Sequence, residues 1–105
     1  MSEQREKPIS EYEAAIFAAE LGSAEEVDLH GMDTESAMHE LDKALNHGFM
    51  TEVEVIKIIH GRGEQKLRNA VESYLKKCQF VELWRSSNNP AEVGGVTYAA
   101  LAKKK

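Results

Sequence analysis

Cysteine, proline, basic charge and long apolar runs are all scarce in this chain. Of its 105 residues one is a cysteine, Cys78, and two are prolines. A single thiol excludes a disulfide framework and fits a reducing compartment, so a cytoplasmic location is expected. Cys78 stands in helical register with Leu67, Val71, Tyr74 and Leu75, the setting of a packed thiol rather than a nucleophile. No stretch approaches the roughly 20 apolar residues of a membrane span, so no membrane partner is expected. The polar start, Met1 to Pro8, lacks the apolar run of a secretory leader. The formal net charge is −5, which argues against tight nucleic-acid binding, since that usually needs a basic footprint.

The charge is unevenly spread. Residues 1–24 hold five acids against Arg5 and Lys7, whereas residues 60–85 hold six basic residues against Glu64, Glu72 and Glu82. A weak or transient contact with a polyanion is therefore allowed in the second half. Apolar residues make up 42% of the chain, enough for one modest core and one domain, expected to be monomeric.

Periodicity lays out the elements. Pro8 precedes Ser10-Glu11-Tyr12-Glu13, which has the form of a capping box, and Ile9, Tyr12, Ile16 and Ala19 follow at helical spacing up to Gly22. This predicts a disordered tail over 1–8 and a helical extension over 9–24, outside the main unit, with a basic tail at 102–105. Between them, residues 26–30 read as a strand. A helix N-capped by Asp33 carries Ala37, Leu41 and Leu45 and is expected to end at Gly48. Val53 to Ile59 is β-branched and apolar on both faces, as a central strand should be. A second helix carries Leu67, Val71 and Leu75, and strands are expected at 80–85 and 96–101 around the turn Ser86 to Gly95. The order is β-α-β-α-β-β. It predicts an α/β (α+β) two-layer sandwich, a mixed four-stranded sheet with two helices on one face plus the N-terminal helix. Strand C-termini and helix N-termini then gather at one edge, where ligands of open α/β sheets bind.

Both chemically suggestive loops fall at that edge. Val27-Asp28-Leu29-His30-Gly31 places an acid and an imidazole two residues apart, on one face of a strand. His60-Gly61-Arg62-Gly63 lies between a strand and a helix, where glycine amides and a helix N-terminus can take a phosphate and Arg62 and Lys66 can supply countercharge. An ordinary turn needing positive φ at glycine would look the same. The stretch is not a Walker loop, so nucleotide hydrolysis is not expected. His60 is readable either as a substrate contact or as a hydrogen-bonded turn residue, and Thr97 as a phosphate contact or a loop support. Asp28, His30 and His60 could join a metal, though their spacing is not diagnostic.

These residues resemble the small MutS-related (Smr) domain family. Its first motif, Leu-Asp-x-His-Gly, is matched by residues 27–31 with Val27 for Leu. Its second, His/Thr-Gly-x-Gly, is matched by residues 60–63, and its glycine-rich third by Gly94-Gly95-Val96-Thr97, which has one glycine fewer than usual. The resemblance covers residues 25–101. It implies a fold like the C-terminal domain of translation initiation factor three, and endonuclease activity on RNA or DNA. It also implies that Asp28 and His30 are needed for cleavage. Expected substrate-binding residues are His60, Gly61, Arg62, Gly63, Lys66 and Thr97. The expected cofactor is unknown, with a divalent metal such as magnesium as the candidate. Nucleic acid is the expected partner, in the setting of a ribosome or repair complex. A non-catalytic nucleic-acid-binding module in such a complex is the alternative reading.

Overall fold

The computed structural model describes residues 8–63 and 65–103. The expected tails at 1–8 and 102–105 lie largely outside these residues. Three helices and four strands follow in the order α1 (Ile9–Leu21), β1 (Glu25–Asp28), α2 (Thr34–Met50), β2 (Val55–Ile59), α3 (Gln65–Lys77), β3 (Val81–Ser86) and β4 (Val96–Leu101).

The sheet order is β1-β2-β4-β3. β1 and β2 are parallel, while β4 runs antiparallel to both β2 and β3. The two helical crossovers thus carry β1, β2 and β3 in one direction. β4 returns between β2 and β3, and all six of its residues are buried.

On one face Ile56, Ile58, Ala99 and Leu101 meet Leu41 and Leu45 of α2 and Leu67, Val71 and Leu75 of α3. These are the stripes the helical spacing predicts. Fully burying a side chain of this size contributes roughly 1.5–3 kcal/mol, so this layer is the main source of stability.

The opposite face is covered as well. Tyr12 and Ile16 of α1 are 1% and 0% exposed, packed with Val55, Val96, Tyr98 and Ala100. The helix expected outside the main unit is therefore a third layer. Alternation decides this: Val55, Tyr98 and Ala100 would otherwise present an apolar face to water. The capping box does not form, because the helix starts at Ile9 with Pro8 in the cap position and no side-chain cap bond. Ser10 is then already inside the first turn, where its hydroxyl cannot cap.

Asp33 does cap α2, accepting from the Ser36 N–H at 3.0 Å. Gly48 does not end that helix. It lies inside it, where a Cβ would come within 2.9 Å of Leu101 Cδ1 and 3.2 Å of Ile56 Cδ1. The missing side chain lets the helix approach the sheet. α2 instead closes at Thr51, whose N–H and hydroxyl both return to the His47 carbonyl.

Candidate functional site

β1 ends at Asp28, opposite the last residue of β2, Ile59. The Leu29 N–H extends the ladder by one bond to the Ile59 carbonyl at 2.7 Å, and the Leu29 side chain is fully buried. The loops carrying the first two motifs thus leave the sheet side by side, one strand spacing (about 4.8 Å) apart. Immediately after His30 the chain turns at Gly31, with φ +82°, a conformation that costs glycine little.

His30 Nδ1 lies 2.6 Å from Asp28 Oδ1, and the His30 backbone N–H reaches the same oxygen at 3.2 Å. The side chains are 65% and 51% exposed, respectively. The bond from the His30 ring holds the Asp28 carboxyl below the usual carboxylate range, against a smaller opposing effect of desolvation. An ionised carboxylate only accepts, so the bond puts a proton on Nδ1. The basic nitrogen of the neutral ring is then Nε2.

The second motif is arranged differently from the expectation. His60 is 1% exposed and Thr97 is fully buried, with Nε2 and Oγ1 2.9 Å apart. Burial pushes the His60 imidazole below its ordinary range, so the ring is neutral. Each was readable as a substrate contact or as a structural residue, and here the two are buried against each other. Gly61 has φ +89°, and its N–H is taken by the Gly95 carbonyl at 3.0 Å. That amide is committed within the protein rather than offered to a phosphate. Gly63 and Lys66 are exposed at the start of α3.

Arg62 reaches back across the edge. Its Nε donates to the Val93 carbonyl at 3.1 Å, and its Nη2 to those of Pro90 and Ala91 at 3.2 and 2.7 Å. Neutral carbonyls orient the guanidinium without cancelling its charge. Gly95 packs beneath it: a Cβ there would lie 3.1 Å from Arg62 Cγ and 3.3 Å from Arg62 N. The second and third motifs are therefore one interlocked unit, with glycine where the backbones touch. Trp84 is partly buried against the core, and Tyr98 is buried and so offers no base-stacking surface.

Among the described residues no group of three His, Cys, Asp or Glu side chains is placed to hold a metal. The donor set at the exposed site is one carboxylate and one imidazole. Magnesium retains most of its waters and often takes only one or two protein carboxylates plus substrate phosphates, so Asp28 fits such a role.

The Smr domain family matches residues 27–102. The chain belongs to the Smr domain family. Among relatives of this Smr domain, the endonuclease MutS2 of Clostridium acetobutylicum is 33% identical over 98 residues, 93% of this chain and 12% of that protein. Endonuclease MutS2 of Staphylococcus epidermidis is 40% identical over 77 residues, 72% of this chain and 10% of that protein. The chain spans about a tenth of the length of these relatives. The crystal structure of the Smr domain of Thermus thermophilus MutS2 superposes with a TM-score of 0.69 and 33% identity, covering 73% of this chain and 96% of that one. That of YdaL, a stand-alone small MutS-related protein from Escherichia coli, gives 0.80 at 18% identity, covering 94% of this chain and 80% of that one. The 94% is too large a share to lie within residues 27–102, so the likeness in fold extends into the N-terminal segment.

The motifs did not single out Glu20, Ser87 and Glu92. Glu20 accepts bonds from Arg85 and Ser87, and Glu92 joins Lys57, Ser87 and Tyr98. One signal was present: Glu20 continues the Tyr12–Ile16 spacing, an acid on the buried stripe of α1.

Proposed function

We propose that this Smr domain is an endonuclease that cleaves or nicks phosphodiester bonds in RNA or DNA, with Asp28 and His30 as its catalytic residues. The observation that carries this reading is the 2.6 Å bond between the His30 ring and the Asp28 carboxylate at the exposed end of β1. It stands beside the loop bearing Arg62, which leads into α3 with Lys66 in its first turn.

Asp28 fixes the ring tautomer and stabilises the imidazolium that forms when Nε2 takes a proton. His30 then acts as base toward the attacking hydroxyl or water and as acid toward the leaving oxygen. Lys66, the exposed Gly63 and the oriented charge of Arg62 hold the phosphate. His60 and Thr97 contribute by bracing that loop. Asp28 would be the residue to hold a divalent metal, which would supply charge neutralisation.

The net charge of −5 supports a second reading, a non-cleaving module that gains affinity from a ribosome or DNA-repair complex. Labelled single-stranded RNA and supercoiled plasmid, incubated with wild type and Asp28→Ala with and without magnesium, separate the two. Cleavage lost in the variant while binding persists is expected. Equal background cleavage by both proteins sinks the enzyme reading and leaves the binding module.

A further inference from the structure

The turn between β3 and β4 is gripped from both ends by opposite charges. At one end stands Glu20 of α1, whose side chain is only 7% exposed. It accepts from Arg85 Nη2 at 2.8 Å, Ser87 Oγ at 2.9 Å, the Asn89 N–H at 3.1 Å and the Asn88 N–H. The chain then makes a hydrogen-bonded turn. Glu92 and Val93 donate to the Asn89 carbonyl at 2.8 and 2.9 Å, and Gly95 donates to the Glu92 carbonyl. At the far end the carbonyls of Pro90, Ala91 and Val93 receive the Arg62 guanidinium.

The leading amides of this turn face a carboxylate and its trailing carbonyls face a guanidinium. Glu20 and Arg62 occupy those two ends. Two further ties join the turn to the second motif. The Gly95 carbonyl receives the N–H groups of both His60 and Gly61, at 3.0 Å each, and a Cβ on Gly95 would crowd Arg62.

We propose that Glu20 is a positioning residue for the nucleic-acid site: through the turn at 88–93 it fixes the Arg62 guanidinium and the adjoining 60–63 loop. Glu20 lies on α1, outside residues 27–102 that match the family. The N-terminal helix therefore serves the site as well as covering the sheet. The consequence for cleavage rests on the endonuclease reading; the mechanical coupling does not.

The test uses the full chain with Glu20→Gln, Arg62→Met, their double variant, and Ile16→Val. The last loosens α1 without touching Glu20. In NMR exchange measurements the Arg62 Nε–H is expected to exchange at least tenfold faster in Glu20→Gln than in wild type, and to stay protected in Ile16→Val. In the cleavage assay KM for a labelled oligonucleotide is expected to rise about tenfold in Glu20→Gln with kcat within twofold. The double variant is expected to be no worse than Arg62→Met alone. Unchanged Arg62 exchange in Glu20→Gln overturns the proposal, as does simple additivity of the two substitutions. Should Glu20→Gln fail to fold, Glu20→Asp, which keeps the charge and shortens the reach, is read by the same exchange criterion. If the wild type cleaves nothing, the endonuclease reading fails while the exchange measurement still decides the coupling.

Discussion

Replacing Thr97 with Val asks whether His60 serves the fold or the substrate. The two side chains are close in shape, so the change removes little but the hydroxyl that lies 2.9 Å from His60 Nε2. With Nδ1 turned to the Gly61 carbonyl at 3.4 Å, Nε2 is the acceptor and Thr97 the donor. Val at this position leaves a buried ring nitrogen without a partner, which costs about 1–3 kcal/mol. For a domain of this size that lowers Tm by roughly 4–8 °C per kcal/mol.

The pH dependence adds a signature. Burial holds His60 below its ordinary range, so as pH falls the unfolded chain takes up this proton before the folded one does. The unfolded state binds more protons in that window, and stability must fall with pH. The loss begins near the ordinary histidine value of about 6.5 and ends at the lower folded value. Urea denaturation at pH 8 and pH 5.5 measures both effects. Wild type should be less stable at pH 5.5. His60→Asn should flatten that difference, and Thr97→Val should be destabilised already at pH 8. Thr97→Val as stable as wild type to within about 0.5 kcal/mol would refute the reasoning. So would His60→Asn that abolishes cleavage with stability intact, because the ring would then be acting on substrate.

Other consequences are open to direct measurement. Arg85 holds the Glu20 carboxyl at about 2, against 4.5 unperturbed. That difference corresponds to about 3 kcal/mol of stability, present above pH 4.5 and lost as pH falls toward 2. Glu20→Gln should therefore be less stable than wild type at pH 7 and lose less between pH 5 and 3; parallel curves would exclude this. Gly48→Ala sets a helix-propensity gain of about 1 kcal/mol against about 1–3 kcal/mol of overpacking at Leu101 and Ile56. A lower Tm is expected, and a higher one would show that the core yields. Gly95→Ala pushes on the backbone of Arg62, and should weaken oligonucleotide binding while leaving the protection of Leu67 and Val71 amides unchanged.

The features legible from sequence were those set by local periodicity and turn chemistry. The stripes of α2 and α3, the Asp33 cap, the apolar runs of β2 and β4, and the glycine loops at one sheet edge all follow from which neighbours share a face. The Asp28–His30 pairing was legible for the same reason, since the two residues are two apart on one chain end. The misread positions depend on partners distant in sequence. Gly48 looked like a helix end because its reason for being glycine is Leu101, brought near only by the sheet. His60, Gly61 and Thr97 were each readable as a substrate contact or as a structural residue, because nothing local says that the Gly95 carbonyl accepts the Gly61 N–H or that the Thr97 hydroxyl faces His60.

The sequence by itself determined the order of elements, the two-helix layer and the placing of the motif loops at strand ends. Tertiary structure decided that α1 is a third layer, that His60 is internal, and that Arg62 is held by a turn anchored on Glu20. The physical reason is range. Side-chain alternation and helical pitch act over a few residues, whereas a buried carboxylate 65 or more positions away from its partners is specified only when the sheet brings them together.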